Sequence, residues 1–513
     1  MPVSDANKTY QKNIYKWELV RNCCEGSTAV KSVRNEAQYT ESSLETATGT
    51  LYLPAPNPSD ESKENRLRYQ SYKQRANYVN FTGHTKDALI GMICRQEPKV
   101  EVPSVLLPMT YNTDGMGNSI YTVIKRSLDE ILQTAREGLL VDYPSISAGL
   151  NARQTEGINP TIKNYCAESV INWKTKTING QETLHMVVLK EEVAIPQDEF
   201  TDNNETQYRV LMLTEEGFYA QRMYNENGEL LIIDEENGLS EIYPRQANGQ
   251  LFNFIPFVFL GATNNDPEID KSPLYDLAEV NIAHYRNSAD YEESCFMVGQ
   301  PTPVMAGLTQ QWVDDVLHGS VMLGSRAFVA LPAGGSATLL QASPNQMPLE
   351  GMVTKEKQMI QIGAKIITDG GGVETAEAAR IRFSGQNSKL ATIVNNVEQA
   401  YIQCLEWSLL FLTGSEEEID ISLNKEFYEK GADPQMIMAQ IQMLDRSVIS
   451  MSDVRNYLRT SGAIDNDRTD DEIEEDIENT NPLGKVAPIE TTPVVLDSDE
   501  TDDNEDEPEY ETL

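Results

Sequence analysis

The chain has 513 residues, 41 of them basic and 80 acidic, for a formal net charge of −39; that balance excludes a simple basic groove for nucleic acid, and the length calls for roughly two to four domains. The charge is uneven, with about 20 acidic and 2 basic residues from Asp465 onward, so the body is far less acidic than the total. Six cysteines, Cys23, Cys24, Cys94, Cys166, Cys295 and Cys404, form no CxxC pair, which excludes a zinc-ribbon pattern and favours free thiols over a disulfide frame.

The start, Met1-Pro2-Val3-Ser4-Asp5, lacks the basic-then-apolar run of a signal peptide, and the longest apolar patch, Phe252 to Leu260, is too short to span a membrane. A soluble, unexported chain is expected. Periodicity predicts helices over Lys8–Cys24, over Asn65–Cys94 with a kink or division near Thr82-Gly83, and over Tyr121–Leu140, followed by a buried strand at Val141–Tyr143. From Asn164 to Ala262 the period becomes strand-like. Segments 169–173, 184–189, 209–213, 217–222 and 230–233 are bounded by Gly- and Asn-rich turns, and Phe254–Leu260 carries Pro256, which argues for an edge position or a break.

Ser272-Pro273 opens a helix of about seven turns to Gly299. A small α/β insert follows, with strand-like 303–306, 327–331 and 338–341 around a helical 311–316. A second helix runs from Asn345 to Ile367 and stops at Thr368-Asp369-Gly370-Gly371-Gly372-Val373-Glu374, and a third runs from Gln386 to Leu412. A strand at 419–423, a helical hairpin (434–444, 452–458) and an acidic helix at 470–479 complete the pattern. From Asn481 on, Pro, Thr and acids dominate, and a disordered tail is expected. The fold class expected is α+β, mainly helical.

Chemistry-bearing patterns are sparse. Gly370–Gly372 follow a helix and run into Val373-Glu374, whereas a phosphate-cradling loop follows a strand and ends in Gly-Lys-Ser/Thr; glycines that permit loop movement are the better account. His84, His185, His284 and His318 are too scattered for metal spacing, and neither a Gly-x-Ser-x-Gly elbow nor HExxH occurs. No catalytic residue, cofactor or metal is expected. Lys355, Lys357 and Lys365 precede the glycine loop; they are either ordinary helix-surface charge or residues that line a passage and touch phosphates transiently. An acidic wall is compatible with a moving polyanion, since it adds no tight contacts to phosphate.

The order of elements resembles the portal proteins of tailed bacteriophages. Several strings resemble one branch of that family: Arg75-Ala-Asn-Tyr-Val-Asn-Phe-Thr-Gly-His-Thr85, Ser272-Pro-Leu-Tyr-Asp-Leu277, Ala283-His-Tyr-Arg-Asn-Ser-Ala-Asp-Tyr291, Pro301-Thr-Pro-Val304, Thr375-Ala-Glu-Ala-Ala-Arg-Ile381 and Asp467-Arg-Thr-Asp-Asp-Glu472. The resemblance covers about residues 60 to 480 and rests on the order and spacing of the strings together.

It implies an N-terminal arm (1–60), a wing of helices and then antiparallel sheet (61–271), stem helices (272–299 and 346–367) flanking a clip (300–345), a tunnel loop (368–375), a long wing helix and strand (376–430), crown helices (431–480) and an acidic tail (481–513). It further implies a homo-oligomeric ring, usually of twelve copies, at one capsid vertex of the virion. The chain would be made in the bacterial host cytoplasm and would not enter a membrane. Double-stranded DNA would pass the loop Thr368–Glu374 without sequence specificity, and capsid or scaffolding protein would surround the ring. The terminase large subunit, and later a tail or adaptor protein, would dock on the clip through Trp312, Asp314, Asp315 and His318. Two other readings stand beside it: an acidic scaffold or interaction protein without a channel, and a nucleotide-dependent packaging enzyme using the Gly370 loop.

Overall fold

The computed structural model describes residues 2–32, 49–143, 159–178, 180–198, 200–233, 238–299, 302–316, 330–340, 346–367, 389–415, 417–425, 427, 434–446, 448–460, 463–464 and 468–480. They fall into two units, Met1–Phe427 and Tyr428–Leu513. The first begins with helices α1 (Lys8–Glu25), α2 (Ser27–Ser32), α3 (Lys63–Arg75) and α4 (Phe81–Ile93), then strand β1 (Lys99–Glu101), α5 (Leu107–Tyr111) and α6 (Ile120–Thr134). There follow β2 (Arg136–Asp142), β3 (Thr161–Cys166), β4 (Val170–Ile178), β5 (Gln181–Pro196), β6 (Asp202–Leu213), β7 (Tyr219–Asn225), β8 (Glu241–Ile242), β9 (Phe257–Gly261), α7 (Tyr275–Gly299), β10 (Thr302–Ala306), α8 (Gln310–Asp315), β11 (Ser336–Leu340) and α9 (Met347–Ile367). Helix α10 (Lys389–Leu412) and β12 (Asp420–Ser422) close the unit.

The helical span expected over Asn65–Cys94 is divided into two helices, and the break falls at Ala76–Asn80 rather than near Thr82-Gly83. The Asn80 side chain causes it, accepting from Gly83 N at 2.8 Å as an N-cap and donating to the Cys24 carbonyl at 2.9 Å. Gly83 then lies inside α4, where a Cβ would meet that same carbonyl at 2.6 Å. Helix α6 also ends earlier than Leu140. Ala135 adopts φ 57°, the backbone turns, and Leu139, Leu140 and Val141 enter β2, fully buried. A continuous apolar run does not reveal its own period, which is why the sequence reads as helix there.

Strands β4 to β8 form one antiparallel sheet in chain order, and β3-β2-β9 form a second. β9 lies at an edge and begins at Phe257, directly after Pro256. Leu230 makes only an isolated bridge to Tyr224, so segment 230–233 is not a strand. The first unit has one large apolar core. Leu128, Ile131 and Leu132 of α6, Leu139 and Leu140 of β2, Phe257 of β9 and the inward face of α10 (Leu390, Val394, Val397, Tyr401, Leu405) meet there with Leu277, Ile282 and Tyr285 of α7.

The second unit is helical, with α11 (Pro434–Asp445), α12 (Met451–Thr460) and α13 (Asp470–Thr480). Arg455 and Arg459 of α12 both pair with Asp470 at the start of α13, and Arg455 also holds Glu474 at 2.7 Å. Carboxylates in the first turn of a helix suit its positive end, so these arginines and the α13 dipole act in the same sense. The acidic tail lies outside the described residues.

Candidate functional element: a helix pair with a hairpin insert

Helices α7 and α9 run antiparallel. Asn287 faces Gly351, where a Cβ would run into its amide, and His284 faces Glu356, with Nε2 3.3 Å from Oε1. A side chain at position 351 would have to displace the Asn287 amide at this contact. His284 is fully buried at this seam, and burial holds its pKa below the ordinary imidazole value despite the Glu356 carboxylate. At neutral pH the ring is uncharged.

The body grips α7 through side chains in and beside two of the strings singled out above, Arg75–Thr85 and Ala283–Tyr291. Asn281 accepts from the Tyr78 hydroxyl (3.0 Å), from Thr82 N (3.2 Å) and from Thr82 Oγ1 (2.9 Å), and donates to the Val79 carbonyl (2.9 Å). Ser288 accepts from Asn77 N and donates to the Asn77 carbonyl, Tyr72 donates to Asp290 at 2.7 Å, and Arg75 pairs with Glu293. Tyr78 meets Tyr285, and Phe81 meets His284, edge to face with centroids 5.9 Å apart. The loop before α7 is pinned as well: buried Arg136 donates to the carbonyls of Asp266, Pro267 and Glu268, and its guanidinium lies over Phe259 and Trp173. The helix is therefore mounted on the body by directional polar bonds as well as by apolar contact, and these fix its direction more sharply than apolar contact alone does.

Helix α9 has three faces at about 100° per residue. Met359, Gly363 and Ile366 turn inward. Leu349, Val353 and Ile360, at i, i+4 and i+11, form a separate stripe that is 39%, 42% and 66% exposed. A third side carries Lys357, Gln358, Gln361 and Lys365, all exposed. The structure thus brings Lys357 and Lys365 to one outer face, whereas Lys355 is half-buried near Gly351 at the α7 seam.

Between α7 and α9 the insert presents β10 and β11 as a two-stranded antiparallel sheet, from Thr302↔Leu340 to Ala306↔Ser336. Among the described residues neither strand has a second neighbour, and Val304 and Leu339 are exposed. The expected strand at 327–331 falls mostly outside the described residues, and Ala330-Leu331 are not in a strand. Trp312 is half-buried and its indole donates to the Ala330 carbonyl at 3.4 Å, so it ties α8 to the segment beyond; Asp314 and Asp315 are exposed. His318 and all of Thr368–Glu374 lie outside the described residues. Among the described residues no group of three or more His, Cys, Asp or Glu is placed to hold a metal ion, and no helix is long and apolar enough to cross a membrane.

A family described as a domain of unknown function (DUF4055) matches residues 273–412, the span from α7 through α10. No curated protein matches the chain. Solved structures of gene transfer agent particles are similar over most of its length. The neck of an empty particle computed with C6 symmetry has a TM-score of 0.40 at 13% identity, covering 76% of this chain and 92% of that chain. The virion of the native particle gives 0.39 at 12% identity, covering 76% and 92%. The neck of the native particle computed with C12 symmetry gives 0.40 at 12% identity, covering 75% and 91%.

Proposed function

We propose that the chain is a portal protein, one wedge of a closed ring, of about twelve copies, at a single capsid vertex of a phage-like virion. The observation that carries this reading is the α7–α9 pair: the body holds it by one side, and the apolar stripe Leu349, Val353, Ile360 stays uncovered beside a hairpin insert with open edges. Apolar stripes and strand edges of this kind are satisfied by another protein surface. The same copy, repeated by rotation, offers one to every neighbour. The six strings that resemble portal proteins support the reading independently, and the contacts between Arg75–Thr85 and Ala283–Tyr291 give two of them a shared structural task.

In this role the chain is a conduit and not an enzyme: it conducts double-stranded DNA without reading sequence, driven by a terminase. The insert docks the motor and then a tail or adaptor protein, with Asp314 and Asp315 available at its surface. In this reading Lys357 and Lys365, exposed on one face of α9, touch phosphates transiently, and DNA passes the segment Thr368–Glu374. The protein is made in the host cytoplasm and resides in the virion. Mass photometry and negative-stain images of the purified chain test the proposal. Rings of about a dozen copies with a central hole support it, and a stable monomer overturns it.

A further inference from the structure

Strands β5 and β6 outrun the sheet they belong to. β4 pairs along β5 only as far as Leu189, and β7 along β6 only back to Gln207, yet the ladder between β5 and β6 continues from Glu192↔Thr206 to Pro196↔Asp202. The result is a two-stranded arm roughly 16 Å long at about 3.3 Å per residue. A ribbon of two strands is marginal by itself in water, and its outer N–H and C=O groups form a template for a further strand. Its tip is nevertheless set: Gln197 N donates to the Thr201 carbonyl at 2.8 Å, and the Asp198 carboxylate accepts from Phe200 N at 2.8 Å. That turn presents Phe200 90% exposed, and Ile195 is exposed as well. Charge divides the arm from its root. At the root Glu191 meets Arg209, Asp142 meets Arg209 and Lys163, and Glu192 meets Lys190. From Val193 to Glu205 the chain holds four acids and no lysine or arginine, and among the described residues Asp202 and Glu205 are exposed and enter no ion pair.

We propose that the arm docks an extended, lysine- or arginine-bearing segment of a different protein, which adds along the outer edge of β6, sets its cations against Asp202 and Glu205 and receives Phe200 as an apolar anchor. The β6 edge is the one that fits: the β5 edge lacks a donor at Pro196 and has Lys190 at its base, whereas Asp202 to Thr206 carries every N–H and no cation. Asp202 and Glu205 stand three residues apart and so point to opposite sides of the arm, which calls for cations three apart on the added strand. Two arms laid edge to edge would set carboxylate near carboxylate, and nucleic acid would meet acids alone, so neither a second copy nor DNA suits this edge. The arm belongs to a single subunit, so its docking role does not depend on ring formation.

The full chain carrying Phe200→Trp reports docking at the tip through its tryptophan emission. Titrated with the capped peptide Thr-Lys-Val-Thr-Lys-Val-Thr, it should shift to shorter wavelength, while the wild type should not. Calorimetry with the same peptide should show affinity at least tenfold weaker for Asp202→Asn combined with Glu205→Gln. Binding should be lost when Asn-Gly replaces Val193–Glu205, a two-residue turn that closes the hairpin on the pair Glu192↔Thr206. Glutamates in place of the peptide's lysines should abolish binding. Unchanged affinity in either variant, equal binding of the two peptides, or no emission shift overturns the proposal. So does loss of assembled species on shortening without any peptide binding, which would give the arm to a second copy.

Discussion

Glu137→Gln should make the protein more stable, by an amount that depends on pH in a defined way. The native chain keeps this carboxyl protonated up to about 8, because burial and then the neighbouring Glu130 oppose its charge, whereas the ordinary carboxyl releases its proton near 4.5. Between those values the native state holds a proton that the unfolded state has lost, so stability falls as pH rises through the window and is level on either side of it. At about 1.4 kcal/mol per pH unit the contribution lost is on the order of 3 kcal/mol at pH 7 and 5 kcal/mol above pH 8. Glutamine carries no such proton. Its carbonyl accepts from Asn164 as Oε1 does, and its amide takes the place of Oε2, unpartnered like the protonated oxygen it replaces, so the two proteins should agree within about 1 kcal/mol in acid. Denaturation curves of wild type and variant from about pH 4.5 to about pH 9.5 provide the test, because their difference cancels every other titration. The difference should open steadily up to pH 8 and then stop. A constant difference, or one that opens toward acid, would refute the reasoning.

Three further outcomes follow from the helix pair. Ile360→Asp places a charge in the uncovered stripe and should reduce rings to smaller species in mass photometry, while leaving the circular-dichroism spectrum and the melting temperature of the subunit unchanged; intact rings would remove the stripe from the interface. Gly351→Val displaces the Asn287 amide at the α7–α9 seam and should lower stability by about 1–3 kcal/mol, read as a shift in urea midpoint; an unchanged midpoint would mean that the seam adapts freely. Deleting Asp369–Val373 should leave ring assembly intact and impair DNA packaging or retention, and loss of rings instead would make that segment structural.

The elements closest to the proposed function were the most legible. α7 and α9 are long enough for the three-and-four spacing of Leu274, Leu277, Ile282 and Tyr285, or of Met359 and Ile366, to stand out, and Ser272-Pro273 marks a start that the structure uses through the Ser272 hydroxyl, which accepts from Leu274 N at 3.2 Å. The sheet was legible from turns placed at regular intervals. The end of α6 was not, since it depends on the left-handed turn at Ala135, and neither propensity nor period marks that residue. The division of α3 from α4 was legible in principle from Asn80, a good N-cap, but Thr82-Gly83 offered a competing breaker. The polar network around Glu137 was invisible. It joins Ser127, Glu137, Asn164 and Tyr401, residues up to 274 positions apart, and only the packing of α6, β2, β3 and α10 brings them together.

Helix α9 states the case for assembly in its own composition. A helix that serves only as part of a monomer's core needs two environments, apolar toward the core and polar toward water. α9 has a third, because Leu349, Val353 and Ile360 face neither the α7 seam nor the side that carries Lys357 and Lys365. Full burial of such side chains is worth about 1.5–3 kcal/mol each, so leaving three exposed forgoes several kcal/mol per subunit. The mount explains why the fold does not recover that energy by rolling the helix inward: Gly351 and Asn287 meet at the seam, Asn281 and Ser288 fix α7 beneath it, and rotation of α9 would expose Met359 and Ile366 in exchange. The stripe is thus held outward by the polar bonds of the mount, and in the proposed ring it meets the neighbouring copy while the lysine face remains on the side open to solvent or to a passing polyanion.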